Sequence, residues 1–465
     1  MNMINVRRLA VMTFLGAGML SDISAQDFSL QADTLNEARL PAQWDLQSCI
    51  DYALEQNITI RKNRVTAEST QIDVKTAKAA LFPSLSFSTS QQVVNRPYQE
   101  TSSRVSGSEI ISSNSKTSYN GNYGLNASWT IYNGSKRLKT LKQERLNNQI
   151  AELDVATSEN TIKESIAQIY IQILYAAESV RVNENTLQVS IAQRDRGQEL
   201  LNAGSIAKSD FAQLEAQVST DRYQLVTAQA TLQDYKLQLK QLLELDGENE
   251  MNVYLPKLSD ENVLAPLPAK KDVYVSALAI RPEIEASKLN VEASELGIDI
   301  AKSSYFPTIS LSAGIGTNHT SGSDFTFGEQ VKNGWNNSIG LSVSVPIFNN
   351  RQTKSAVQKA KLQRETNMLS LLDEQKALYK TIESLWLDAN SAQQRYAAAN
   401  EKLRSTQISY DLISEQFNLG MKNTVELLTE KNNLLQAQQE QLQAKYMAIL
   451  NTQLLKFYQG DKLTL

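Results

Sequence analysis

Phe82-Pro83-Ser84-Leu85-Ser86 returns 224 positions later as Phe306-Pro307-Thr308-Ile309-Ser310, and the text around each copy matches. An Ala-rich helical stretch precedes each copy (77–81 and 301–305), and alternating small polar and apolar residues follow it. A second alternating run, 124–132 in one copy and 340–348 in the other, closes at Asn133-Gly134 or Asn349-Asn350. A long helical tract then turns at Ala203-Gly204-Ser205 or Leu419-Gly420-Met421. The chain is one unit written twice, so its fold and function must be something that two such units build together.

Proline placement locates the helices. All nine prolines fall outside 98–255 and 347–465, and since proline breaks helix interiors, long helices can run only there. Within these windows, 136–203 and 352–419 are rich in Ala, Leu, Gln, Glu and Lys, which are good helix formers. Tracts of this length extend on the order of 100 Å at ~1.5 Å per residue, more than a globular core needs. Shorter helices are expected at 209–245 and 424–458. In the last, Leu428, Leu435, Leu442 and Ile449 recur by sevens beside Leu427 and Leu434, the spacing of a coiled-coil seam. From the helices alone, a plain coiled-coil rod explains the pattern equally well.

The segments between the helices separate the two readings. Leu85 and Phe87 alternate with Ser84, Ser86 and Ser88; Leu125, Ala127, Trp129 and Ile131 alternate with Asn126, Ser128 and Thr130. The second copy sets Ile309, Leu311, Ala313 and Ile315 against Ser310, Ser312, Gly314 and Gly316, then Leu341, Val343 and Val345 against Ser342 and Ser344. Period-two patterning puts all apolar residues on one face of a strand. Such runs, apolar on one side and small-polar on the other, suit a membrane β-barrel with a wet lumen. A soluble sandwich carries the same alternation, but four strands in two separated hairpins make a poor one. Tyr119, Tyr123, Tyr132, Phe82, Phe306, Trp335 and Phe348 are expected near strand ends, as an aromatic girdle. The hairpin tips, 95–116 and 318–333, read as long polar surface loops. Four strands cannot close a conducting barrel, and an open edge in lipid is not tolerated, so several chains must pool theirs.

The N-terminus supplies the compartment. Arg7 and Arg8 precede an apolar run over 9–20, and Ile23-Ser24-Ala25 offers a cleavage site before Gln26, the form of a secretory leader rather than a membrane span. No cysteine follows that cut, so no lipid anchor is expected on the new N-terminus. The formal charge of −4 becomes −5 when Arg7, Arg8 and Asp22 leave with the leader, which argues against a nucleic-acid partner. Cys49, the single cysteine, rules out an intrachain disulfide framework and, inside the expected first helix, reads as a small apolar residue. His319, the single histidine, lies in the polar stretch 317–323 and reads as a solvated loop residue. The usual metal and nucleophile sets cannot be assembled from these, so neither a cofactor, a metal nor an enzyme activity is expected.

At this point the residues resemble a known family. The duplicated helix–strand–strand–helix layout, the Phe-Pro-[Ser/Thr]-[Leu/Ile]-Ser entries, and Trp44-Asp45-Leu46 ahead of Ala53-Leu54-Glu55-Gln56-Asn57 look like the TolC family of outer membrane efflux proteins, over essentially the whole mature chain. The resemblance implies a mixed α and β membrane protein: a homotrimer whose pooled strands form one outer membrane barrel, continuous with a periplasmic tunnel of coiled-coil helices. On that pattern, 1–25 is the signal peptide and 26–81 the N-terminal helical and equatorial segment. The two barrel hairpins are 82–133 and 306–350, and the two periplasmic helical hairpins 134–245 and 351–459. Between them lie an equatorial linker, 246–271, and a helical segment, 272–305; 460–465 is a short tail with little equatorial extension. The implied partners are a periplasmic adaptor protein, an inner-membrane transporter of the RND type, and outer membrane lipid. Type I protein secretion and metal-ion efflux use the same channel, and a secreted, non-conducting coiled-coil scaffold remains the alternative of another class.

The two helix turns would then be the periplasmic tips, with Gly204, Ser205, Gly420 and Met421 placed for adaptor contact. Glycine suits the left-handed residue that ends a helix, and Ser209 and Thr424 read as N-caps of the next. The resemblance assigns an acid that rings the closed entrance to the sixth residue after the second tip glycine, which is Glu426. A second ring acid falls on Thr429, so the ring is thinner or shifted. The family's inter-hairpin lock maps onto Lys422, Phe417, Ser209 and Asp210; Lys422 lacks the guanidinium fork and Phe417 the hydroxyl, leaving a Lys422–Asp210 pair as its candidate core.

Overall fold

A computed structural model of the chain describes residues 41–98, 102–106, 109–113, 116–246, 251–256, 263–323 and 325–464. The leader and its cleavage site lie outside these residues, as does part of the linker, 247–250 and 257–262. Two units separate by their contacts. The described part of the smaller one is a single parallel bridge between Trp44 and Val253, in which Trp44 N donates to Asn252 O and Tyr254 N to Trp44 O, each at 2.8 Å.

The larger unit runs, in chain order, α1 (Leu46–Gln56), α2 (Ile58–Ala79), β1 (Ser84–Asn95), β2 (Ser102–Ser106), β3 (Glu109–Ser113), β4 (Thr117–Asn133), α3 (Lys136–Asn202) and α4 (Lys208–Leu242). The second copy follows as α5 (Lys270–Ile280), α6 (Pro282–Ser303), β5 (Thr308–Thr320), α7 (Phe327–Asn333), β6 (Asn336–Ser344), α8 (Gln352–Asn418) and α9 (Thr424–Gln459). Matching helix and strand starts, such as Leu46 with Lys270 and Ser84 with Thr308, keep the 224-residue offset up to the hairpin tips. Beyond the tips the offset is 216, as in Lys136 with Gln352 and Lys208 with Thr424, because the first tip is longer.

The helix pairs that lead into the strands break at equivalent residues by different chemistry. Asn57 takes an extended backbone and its side-chain oxygen accepts from Thr59 N, while its amide donates to Leu242 O at 3.0 Å. Arg281 takes the same backbone shape because Pro282 follows it at the first helical position. Its guanidinium, buried, reaches Glu164 at 2.7 Å and lies 3.6 Å from the Tyr458 ring centroid.

Four strands form one antiparallel sheet in the order β1-β4-β5-β6, so the two hairpins of the repeat join edge to edge. The register fixes both faces. Leu85, Ala127, Ala313 and Ile339 share one row, and Phe87, Leu125, Ile315 and Asn337 the next. On the other face Ser86, Asn126, Gly314 and Ser338 align, as do Ser84, Ser128, Ser312 and Gly340. A bulge between Thr130 and Tyr132 interrupts the strict alternation and sets Tyr132 opposite Ile309. A bulge of this kind adds one residue and bends its strand.

Two expectations are corrected here. The tips are not plain loops: residues 95–116 contain the β2–β3 hairpin, and 318–333 contain α7, started by a capping box between Thr326 and Glu329. Nor is His319 a solvated loop residue. It lies at the far end of β5 opposite Gly121, half-buried, with ring centroids 5.2 Å from Tyr119, 5.9 Å from Tyr123 and 5.0 Å from Phe327. A side chain at 121 would stand 2.3 Å from its ring, so glycine there is the space the imidazole fills. The strand continues past its apolar run, which hid it from a reading based on hydrophobic alternation.

The long helices pair as α3 with α4 and α8 with α9, each 67-residue rod extending about 100 Å at ~1.5 Å per residue. A cluster around Val273, Ile284, Leu378, Ile382, Leu455 and Tyr458 packs α5, α6, α8 and α9 together. Residues 263–269 are tied to α8, with Gln393 Nε2 donating to Val263 O and Ala265 O and Trp386 Nε1 to Pro268 O. Cys49 is fully buried, and burial pushes its thiol pKa up to about 12.

Candidate functional site

The two helix turns are built alike. Gly204 and Gly420 both take positive φ, 71° and 72°, and nothing lies within 4 Å of where a side chain would start. Ser205 N donates to Leu200 O and Met421 N to Gln416 O, each at 2.8 Å, while the glycine N–H groups reach Leu201 O and Phe417 O. These bonds satisfy the last carbonyls of each rod and reverse the chain in a few residues. The caps of the next helices fall one or two residues earlier than Ser209 and Thr424. Asn423 caps α9, accepting from Glu426 N at 2.9 Å, and Asp210 accepts from Ala207 N at 3.3 Å at the start of α4. Asn423 supplies the amide oxygen that a side chain at 424, already in the first helical turn and buried, cannot place.

Glu426 closes this box. One carboxylate oxygen accepts from Asn423 N at 3.2 Å and the other from Lys422 Nζ at 2.7 Å. These bonds, the Lys422 one foremost, hold the carboxyl pKa below the usual glutamate range. Within the chain Lys422 pairs with Glu426, four residues along at the start of α9. Phe417 is buried and Ser209 exposed. Leu419, Met421 and Val425 stand exposed around the second turn.

A tighter link lies further along the rods. Lys431 Nζ on α9 meets Asp221 Oδ2 on α4 and Ser190 Oγ on α3, and Ser190 Oγ also donates to Asp221. Gln217 Nε2 supplies Asp221's other oxygen at 2.9 Å. The lysine and aspartate side chains are 3% and 1% exposed, and burial pushes the lysine pKa down against the pull of Asp221. Sequence reasoning missed this triad, although each member sits on a seam. Asn183, Ser190 and Gly197 recur by sevens on α3, and Lys431 stands between the buried Leu427 and Leu434.

Of the girdle residues, Tyr119, Tyr123 and Tyr132 lie on the apolar face of the sheet. Tyr119 and Tyr132 lie near opposite ends of β4 and Tyr123 further in, whereas Trp335 precedes β6 and Phe348 follows it. The polar face carries Ser, Thr, Asn and Gly, with cross-strand contacts such as Ser84 Oγ to Ser128 Oγ at 2.9 Å. Leu85, Phe87, Ile339 and Leu341 on the opposite face are exposed in the single chain, and β1 and β6 are the sheet's edges. No helix among the described residues is long and apolar enough to cross a membrane.

Two long helical hairpins joined to strands of one apolar and one polar face define the fold. A solved structure of CusC superposes with a TM-score of 0.76 at 19% identity, covering 90% of this chain and 93% of that one. The chain belongs to the outer membrane efflux protein family, whose profile matches residues 49–244 and 273–460, and its place is the outer membrane. The outer membrane efflux protein BepC of Brucella suis biovar 1 is 26% identical over 63% of this chain. The outer membrane protein TolC of Escherichia coli (strain K12) is 25% identical over 70% of it. The matches span 61% of BepC and 66% of TolC, less than two thirds of each relative's length.

Proposed function

We propose that three copies of this chain form the outer membrane channel-tunnel of a tripartite efflux system, carrying substrates passively from an inner-membrane pump and a periplasmic adaptor to the exterior. The observation that carries this reading is the sheet. One face exposes a band of apolar residues, among them Leu85, Phe87, Trp129, Ile339 and Leu341, the other is polar, and β1 and β6 are edges, so the sheet needs lipid on one side and further strands at each edge. Pooled strands close a barrel, and the paired rods continue its wall across the periplasm. Cargo and pump class, RND or other, belong to the partners.

The two turns are the closed periplasmic entrance in this reading. Three Glu426 carboxylates brought near one axis attract cations and repel one another, and Lys422 offsets part of that repulsion. An adaptor engaging the exposed residues around Gly204, Ser205, Gly420 and Met421 then shifts the entrance toward open. In planar bilayers the purified protein should conduct and prefer cations, and Glu426→Gln should lose most of that preference. An unchanged preference overturns the role of Glu426. Recovery as a soluble monomer, with no heat-modifiable trimer in the outer membrane fraction, overturns the channel and favours the scaffold.

A further inference from the structure

The helix turns that adjoin the sheet are basic. The ten residues nearest each strand, 72–81, 136–145, 296–305 and 352–361, hold eleven Lys and Arg against three carboxylates, although the whole chain carries a formal charge of −4. We propose that these bases form a belt that binds the anionic headgroups of phospholipids in the periplasm-facing leaflet of the outer membrane. The proposal rests on reading the sheet as part of a barrel.

Level, side and lack of partners place the belt against lipid. Ten helical residues span about 15 Å, and Arg137 still donates to Thr130 O at the foot of β4. Just above, at the strand ends, Phe82, Tyr132, Tyr305, Phe306 and Phe348 are exposed, the position of an aromatic girdle at the edge of a bilayer. Lys and Arg one or two turns lower can extend their stems toward the headgroups. The four helices stand in the order of their strands: α2 packs on α3, α3 on α6 and α6 on α8. Lateral contacts fix their rotation: Thr70 Oγ1 to Asn148 Oδ1 at 3.1 Å, Gln143 Nε2 to Ala293 O at 3.0 Å, and Arg364 to Glu295 at 2.7 Å. With those residues turned sideways, helical spacing leaves Lys75, Lys78, Lys142, Arg145, Lys354 and Lys361 on one side of the row. Tyr119 lies on the apolar face of β4, which runs toward the helices, and its carbonyl accepts from Ser321 N beyond the end of β5. For L-residues that hand puts the six bases on the side of the sheet's apolar face. All six are exposed, and none has an ion pair among the described residues. Lys139 and Lys302, in contrast, both pair with Asp299, and Lys402 further down the rod pairs with Glu440. A base held near an anionic leaflet favours the contact roughly fivefold, and six per chain multiply that preference.

The test warms the purified trimer in detergent with added phosphatidylglycerol or phosphatidylcholine and reads dissociation on a gel by heat-modifiability. Phosphatidylglycerol should raise the dissociation temperature several degrees more than phosphatidylcholine, and high salt should erase the difference. Replacing all six bases by Gln keeps helix propensity. That variant should match wild type in phosphatidylcholine and lose the extra rise. Equal rises from the two lipids, or a variant that keeps the difference, overturn the belt. Glycerol phosphate, the headgroup without its chains, should give no rise; a rise equal to that of the lipid marks a free-anion site and also overturns it. In bilayers the variant should keep the cation preference of wild type, and a strong gain in it places the bases in the tunnel and overturns their outward side. If the variant does not assemble, Lys142→Gln with Arg145→Gln and Lys354→Gln with Lys361→Gln should each lose part of the difference. An undiminished difference in both pairs overturns the proposal. A wild-type chain that forms no heat-modifiable trimer in either lipid overturns the barrel reading instead.

Discussion

Glu426 combines three tasks in one carboxylate: it completes a helix cap, neutralises Lys422, and supplies the proposed ring charge. The first two favour its ionised form, which sets a pH signature. A carboxyl whose folded pKa lies below the ordinary value keeps its charge until pH falls through that lowered value. Cation preference should therefore persist at pH values where an ordinary glutamate has begun to protonate, then vanish in stronger acid. Reversal potentials recorded in a descending pH series check this, and a preference lost within the usual glutamate range contradicts it. Gly420 gives a different residue-scale prediction. Alanine at its φ of 72° meets no neighbour, so the only loss is backbone strain, roughly 1–2 kcal/mol. Gly420→Ala should lower the temperature at which the assembled protein unfolds. Gly328→Ala, equally free of neighbours but at an ordinary helical φ, should leave it unchanged or raise it.

At the scale of elements, much was readable in advance because the repeat supplied a second measurement of every boundary. The rods expected at 136–203 and 352–419 end at Asn202 and Asn418, and proline junctions at 83 and 307 mark where helix gives way to strand. Elements that occur in only one copy were lost. The β2–β3 hairpin and α7 lie in tips of unequal length, so neither had a counterpart to reveal it. The Ser190–Asp221–Lys431 triad was hidden for another reason: a charged residue in a Lys- and Glu-rich tract reads as a solvated face, and only the crossing of three helices shows that Lys431 is buried. The first helix is open to direct test. Asp45 caps α1 through Ser48 N at 2.7 Å, and the Ser48 bonds lower its pKa. That stabilisation is present above the ordinary aspartate pKa and disappears as pH falls through the lowered folded value. Asp45→Ala should cost about 1 kcal/mol near neutral pH, and the difference from wild type should close in strong acid. Denaturant melts at two pH values check it, and a gap that widens in acid contradicts it.

For the whole molecule, the proposed barrel requires that adjacent residues face different media. Ile339 and Ser338 are neighbours near the middle of β6, yet the register puts Ile339 in the row of Leu85, Ala127 and Ala313, and Ser338 beside Gly314 and Asn126. Ile339 is 83% exposed in the single chain, and in the proposed barrel it faces lipid. A lysine there faces hydrocarbon and costs ~2–4 kcal/mol if it lies near the bilayer midplane. A lysine at Ser338 faces the aqueous side of a wall built from hydroxyl, amide and glycine groups, where water and counterions solvate it. Ile339→Lys should therefore reduce assembled trimer in the outer membrane. Ser338→Lys should assemble normally and shift the reversal potential toward anions, since few charges on that wall oppose it. Trimer yield by heat-modifiability and selectivity in bilayers measure the two effects separately. The reverse pattern, with Ile339→Lys assembling and Ser338→Lys excluded, would turn the sheet inside out and remove the basis for a barrel.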